Sequence, residues 1–227
     1  MSEDFDISCS YLKDETWRIF RIISEFVEGM EELAAVAPCV TIFGSARLKP
    51  SNKYYKKTIT LSKKLVKKGF NIMTGGGPGI MEAANRGCQE AGGMSVGLNI
   101  ELPFEQSANA YIDKLVNFHY FFMRKLMFLR HSVAFVLMPG GFGTMDEMFE
   151  SLTLIQTKKA KKFPVVLVGK DFWGEMIDWI TRTLLRFKTI SPEDMDLFVL
   201  TDSIDEAVDY IAEKTGISAL SRRGEII

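Results

Sequence analysis

Apolar runs alternate with amphipathic stretches at about 25–35 residues per unit, the pattern of parallel βαβ units. Three of the apolar runs end in small-residue turns: Gly44-Ser45, Gly75-Gly76-Gly77-Pro78-Gly79, and Pro139-Gly140-Gly141-Phe142-Gly143. Together these predict an α/β chain, a Rossmann-like doubly wound parallel sheet in a three-layer α/β/α sandwich. In such sheets ligands sit beyond the carboxyl ends of the strands, so the three turns fall on one rim. No linker or composition break divides the chain. Residues 1–227 therefore read as one domain, with an N-terminal helical extension over about residues 11–37.

Each element has a local reason. Trp17, Phe20, Ile23, Val27, Met30 and Leu33 recur at near-helical spacing, predicting an amphipathic helix over residues 17–36 that Pro38 ends. Cys39–Phe43 is the first strand, and a lysine-rich helix over 52–68 stops at Gly69. Residues 70–74 form the second strand and 80–90 a helix closed by Gly92-Gly93. Strands follow over 94–100 and, after a looser stretch holding Pro103, near 114–118. A helix over 121–130 precedes the run Val133-Ala134-Phe135-Val136-Leu137, which reads as a buried parallel strand. Helices are expected over 144–157, 172–187 and 203–214, and strands over 163–168 and 197–200. Residues 1–10 and the polar tail near 221–224 are expected to be loose.

Composition narrows the function classes. With 47% hydrophobic and 25% charged residues the chain reads as soluble and globular, and a net charge of −1 gives no drive toward nucleic acid or an anionic membrane. Cys9, Cys39 and Cys88 are too few and too widely spaced for a zinc pattern or a disulfide framework, so a cytoplasmic setting is expected. The acidic start, Met1-Ser2-Glu3-Asp4, predicts no secretory or transit signal, and no apolar run approaches membrane-spanning length. No metal site is predicted.

The turn at 139–144 is the chemical centre. Glycines let a ligand touch the main chain, and the helix opening there turns unpaired N–H groups on the same spot, a ready anion site. A P-loop is not expected, because Gly169-Lys170 is followed by Asp171, and neither glycine cluster fits the dinucleotide spacing Gly-x-Gly-x-x-Gly. Glu147 has two open readings. Thr144-Met145-Asp146-Glu147 has the form of a capping box, and the same carboxylate could instead serve catalysis. Arg124-Lys125 stands out in an otherwise apolar stretch, either as a solvated face or as ligand-binding cations. His119 and His131 are expected to be structural. The lysines of 56–68 and 158–162 are expected to be solvated helix faces.

These residues resemble the Lonely Guy (LOG) family, whose members were long named lysine decarboxylases. Its signature Pro-Gly-Gly-x-Gly-Thr-x-x-Glu is met by Pro139, Gly140, Gly141, Gly143, Thr144 and Glu147. Its Arg-Lys pair appears as Arg124-Lys125, its Gly-Gly-Gly-x-Gly-x-Met-Glu element over residues 75–82, and its first-strand turn as Gly44-Ser45. The likeness runs over roughly residues 39–185. It implies a Rossmann-like phosphoribohydrolase that cleaves a nucleoside 5′-monophosphate, AMP-like or a cytokinin riboside 5′-monophosphate, to free base and ribose 5-phosphate. The alternative is a non-catalytic nucleotide or phospholigand sensor of the same fold. The resemblance implies that Glu147 and Arg124 are catalytic. It implies that Gly44, Ser45, Gly76, Gly77, Gly79, Glu82, Lys125, Gly140, Gly141, Gly143 and Thr144 hold substrate, with Asn85 a weaker candidate. It implies no cofactor, and no motif argues for a lysine–pyridoxal phosphate Schiff base. It implies a homodimer or higher homo-oligomer, while the charge and hydropathy above predict no nucleic-acid or membrane partner. Where plant-type members carry Met-His before Arg-Lys, this chain has Phe121-Phe122-Met123.

Overall fold

A computed structural model describes residues 11–101 and 107–217. Seven parallel strands form one sheet in the order β4-β3-β2-β1-β5-β6-β7. These are β1 (Cys39–Phe43), β2 (Asn71–Thr74), β3 (Ser95–Ile100), β4 (Lys114–Phe118), β5 (Ser132–Leu137), β6 (Val165–Val168) and β7 (Val199–Thr201). The intervening helices are α1 (Tyr11–Leu33), α2 (Lys53–Lys68), α3 (Ile80–Glu90), α4 (Phe121–His131), α5 (Phe142–Gln156), α6 (Lys170–Trp179) and α7 (Ile204–Thr215).

Strands β1, β2 and β6 are buried along their whole length, since helices cover both faces of the sheet. On one face Leu33, Phe128, Met148 and Trp173 bring α1, α4, α5 and α6 against Phe43, Met73 and Phe135. On the other, Leu61, Ala84 and Val208 bring α2, α3 and α7 against Val40, Ile72 and Val136. The strand order reverses between β1 and β5. There Met138 N–H donates to Phe43 O at 2.9 Å and Ser45 N–H to Pro139 O at 3.0 Å, so the two turns are fastened together. This switch point is where an open α/β sheet forms its crevice.

Several boundaries differ from the sequence expectation. The first helix begins at Tyr11 and stops at Leu33, giving way to turns at Ala34 and Val36. The helix expected over 172–187 starts at Lys170, behind Gly169 at φ 115°, and becomes a π-helical turn over Ile180–Leu185. A 3₁₀ turn over Pro192–Leu197 has no counterpart in the sequence expectation. Ser191 and Asp194 cap it reciprocally, and it displaces the last strand to Val199–Thr201. Most important for the site, α5 starts at Phe142, two residues early, with Gly141 in the N-cap position. The expectations for residues 1–10, for Pro103 and for the tail lie outside the described residues.

The lysines also behave differently from simple solvated faces. Lys64 pairs with Asp205, and Lys68 with Asp209 at 2.9 Å, tying α2 to α7, while Lys63 reaches Glu90 of α3 at 2.6 Å. Residues 158–162 follow α5 rather than extending it, because the helix closes at Thr157 and Lys158 turns to φ 59°. Among the described residues no helix is long and apolar enough to cross a membrane.

Candidate active site

A cavity of about 960 Å³ opens at the switch point between β1 and β5. Gly44 and Ser45 line it from the turn after β1, Gly140 and Gly141 from the turn after β5, and Gly143 and Thr144 from the start of α5. Arg124 of α4 and Glu147 of α5 complete its charged wall. The amides of Thr144 and Met145 both return to Gly141 O, at 3.0 Å each. Those of Phe142 and Gly143, the first two helical residues, have no carbonyl a turn behind them. A partial positive charge of roughly half an elementary unit gathers at such a helix start.

Close packing explains two of the glycines. A Cβ on Gly140 would stand 2.1 Å from Thr144 Oγ1, so glycine is what lets that hydroxyl fold back over the turn. Gly79, at φ 71°, would place a Cβ 2.4 Å from Ser45 O; its close approach lets Ile80 N–H donate to that carbonyl at 3.0 Å. The start of α3 thus supports the Gly44-Ser45 turn from behind.

Glu147 and Arg124 form the electrostatic core. Glu147 is only 6% exposed, and burial pushes its carboxyl up to about 7, winning over the attraction of Arg124 and Lys125. Burial also lowers the pKa of Arg124, against the pull of Glu147 and Asp146. The Arg124 guanidinium lies 5.6 Å from the ring centres of both Phe121 and Phe128, and its Nε has no hydrogen-bond partner among the described residues. The site therefore holds an acid poised near neutrality and a cation with unused donor capacity.

The capping-box reading of Glu147 is corrected by the helix start. With Gly141 as N-cap, Thr144 is the third helical residue and Glu147 the sixth. A carboxylate that far along cannot return to the N-cap amide, and no side chain caps the helix. Nor is Glu147 on a solvated first turn, since it is buried beside Met148 and Ser151.

Other expected site residues lie elsewhere. Gly76, Gly77, Gly79 and Glu82 do not line the cavity, although their neighbours Gly75 and Met81 do. Glu82 faces α2 instead, accepting from Tyr55 Oη at 2.5 Å; burial and then Glu82 push the Tyr55 hydroxyl up to about 12. Lys125 is turned away as well, pairing with Asp146 at 2.9 Å and Glu150 at 2.7 Å. It borders a smaller hollow of about 400 Å³ that also reaches Glu147. Its contribution is to clamp α4 to α5. Asn85 is buried and occupied, accepting from Thr74 Oγ1 at 2.7 Å and Asn109 Nδ2 at 3.0 Å and donating to Ser95 Oγ at 2.8 Å. Neither histidine lines the cavity: His119 sits exposed 3.3 Å from Glu101, and burial lowers the His131 pKa.

The structure also brings in residues that the sequence did not single out. Arg47, Asn52, Tyr54 and Phe172 line the cavity, as does Phe142, the variable position of the glycine signature. Nothing in the spacing of Tyr54 and Phe172 signals this, because they come from helices on opposite faces of the sheet. Among the described residues no lysine lines the cavity, so the donor set does not fit a Schiff-base cofactor. No cluster of three or more potential metal ligands occurs among them either.

Residues 81–211 match the family model described as possible lysine decarboxylase. A cytokinin riboside 5′-monophosphate phosphoribohydrolase of Mycobacterium tuberculosis is 31% identical over 149 residues, covering 62% of this chain and 76% of that protein. Among solved structures, the structural-genomics protein TM1055 is 28% identical with a TM-score of 0.59, covering 78% of this chain and 99% of its own. The molybdenum cofactor carrier protein of Chlamydomonas reinhardtii shares the fold alone, at 21% identity and a TM-score of 0.60 over 79% of this chain and 98% of its own. With the family match running over more than half its length, and with the glycine signature, Arg124 and Glu147 gathered at one cavity, the chain belongs to the LOG family.

Proposed function

We propose that the protein hydrolyses the N-glycosidic bond of a nucleoside 5′-monophosphate, AMP or a cytokinin riboside 5′-monophosphate, to free base and ribose 5-phosphate. One observation carries the reading: a buried carboxyl raised to about 7 and a desolvated guanidinium share a cavity with the open start of a helix. The Mycobacterium tuberculosis relative, named for this reaction, supports the substrate class.

In this reading the 5′-phosphate rests on the Phe142 and Gly143 amides, which fixes the ribose near Glu147. Breaking the C1′–N bond leaves its electron pair on the base and builds positive charge on the ribose ring, an oxocarbenium-like state. Glu147, ionised, lowers the energy of that charge and takes a proton from the water that adds its hydroxyl to C1′. A pKa near the working pH suits this exchange, because the same carboxyl then returns the proton toward the departing base nitrogen. Arg124 supplies the countercharge to the base as it leaves. Water is the only co-reactant, so the chemistry calls for no cofactor.

We further propose a homodimer or larger assembly. It is supported by Trp17, Phe20, Ile23 and Val27, large apolar residues of α1 that stay 46–69% exposed in the single chain. A monomer by light scattering sinks this part.

The test of the reaction is to incubate the protein with AMP, CMP, GMP and a cytokinin riboside 5′-monophosphate and to assay free base. Release from at least one is expected, and Glu147→Ala should abolish it while nucleotide binding persists. A folded protein that binds nucleotide and leaves it intact would return the chain to the sensor alternative.

A further inference from the structure

Resting on the nucleotide reading, we propose that Phe142 is the base-stacking residue of the site, with Phe172 forming part of the same aromatic rim. Phe142 is 94% exposed, so its ring packs against almost nothing in the protein. It is nonetheless the first residue of α5, and its backbone amide, like that of Gly143, has no intrahelical carbonyl to donate to. One residue thus offers an N–H to the phosphate end of a ligand and an unsatisfied apolar face at the mouth of the same cavity.

Phe172 lines that cavity too, 41% exposed and braced edge-on against buried Trp173 with ring centres 4.9 Å apart. Leu48 and Tyr54 extend the apolar wall. The Tyr54 hydroxyl is held by Asp171, which fixes its ring in place. A ligand that ended at ribose 5-phosphate would leave this wall wet. A nucleotide covers it, because a nucleobase brings a flat π-face that stacks on aromatic rings without regard to base identity. Of the other phenylalanines in the lining, Phe43 and Phe128 are buried, and Phe121 is the weaker candidate because the Arg124 guanidinium already lies over its ring. The rim therefore assigns tightness of binding to the presence of a base and leaves the choice among bases to polar groups.

The experiment uses the Glu147→Gln background, in which nucleotide stays intact, and titrates AMP and ribose 5-phosphate separately by calorimetry. Phe142→Ala removes the ring and keeps the amide, and a side chain so exposed gives the folded protein little to lose. Stacking predicts that AMP affinity falls roughly tenfold while ribose 5-phosphate affinity is unchanged, and that Phe142→Trp restores AMP binding. Equal changes for both ligands, or no change for AMP, overturn the proposal. So does a drop in molar mass by light scattering with AMP affinity kept, which would assign the ring to a subunit contact. Failure of the unsubstituted protein to release base sinks the hydrolase reading alone, since the titrations decide the rim from binding.

Discussion

Replacing Glu147 by glutamine separates a carboxylate kept for chemistry from one kept for stability. In the folded protein burial holds the carboxyl protonated up to about pH 7, whereas its ordinary value is 4.5. Between those values the folded state binds more protons than the unfolded chain, so this group makes stability fall as pH rises from about 4.5 to about 7. At about 1.4 kcal/mol per pH unit, the penalty is about 1 kcal/mol at pH 5 and about 3 kcal/mol at pH 8. Glutamine is nearly isosteric and does not titrate, so Glu147→Gln should remove the penalty and lose turnover together. Urea unfolding at pH 5 and pH 8 measures it: the variant's advantage over the unsubstituted protein should grow by about 2 kcal/mol across that interval. In thermal scans at pH 8 the gain corresponds to roughly 6–12 °C for a chain of this size. A helix-cap role predicts the opposite sign, a loss of about 1 kcal/mol. A variant less stable at pH 8, or an advantage that does not change with pH, would refute the reasoning.

The same carboxyl sets the pH dependence of turnover: kcat/KM for AMP should rise tenfold per unit below about pH 7 and level off above it, and a profile flat from pH 5 to 8 rules out Glu147 as the group that must ionise. Gly79→Ala combines a left-handed φ of 71° with a Cβ 2.4 Å from Ser45 O, so urea unfolding should show a loss of about 2–3 kcal/mol or more. Asn85→Ala strips a buried amide that links Thr74, Ser95 and Asn109; a loss of about 2–4 kcal/mol is expected by the same measurement.

The strands were readable because a parallel sheet covered on both faces needs uninterrupted apolar runs, and runs such as the one ending at Leu137 have no other use. The rim of glycine turns was readable for the same reason, once strand and helix alternated. The start of α5 was not. Thr144 and Glu147 satisfy the capping pattern in sequence, but the β5–α5 turn is pinned to the β1 turn through Ser45 and Pro139, and that tertiary bond leaves Gly141 at the helix start. Propensity names who can cap a helix; the sheet decides where the helix begins. Glu82 and Lys125 failed to reach the cavity for a related reason. Each sits beside a residue that does reach it, Met81 and Arg124, and successive positions on a helix point about 100° apart. The Ser191-Pro192 turn carried a legible signal in its capping box, whereas the burial of Tyr54 against Asp171 joins residues too far apart for any local pattern.

Moving the N-cap three residues, from Thr144 to Gly141, changes what Glu147 is able to do. As the third helical residue it would have stood in solvent beside the first amides, spent on a cap and repelling any phosphate held there. As the sixth it lies most of a turn deeper, away from the first amides and buried. Lys125 makes that depth hold. By pairing with Asp146 and Glu150, which flank Glu147 on the same helix, it draws the competing acids outward and locks α4 against α5. Arg124, next to Lys125 in sequence, is thereby carried to the cavity side at a fixed offset from Glu147. Two adjacent cations thus divide the work, one neutralising the outer acids and the other facing the inner one. A carboxyl that weakens the fold above pH 7, opposite a cation whose Nε lacks a partner among the described residues, is hard to explain as packing. It is what a site looks like when charge has to appear on a ligand bound between them.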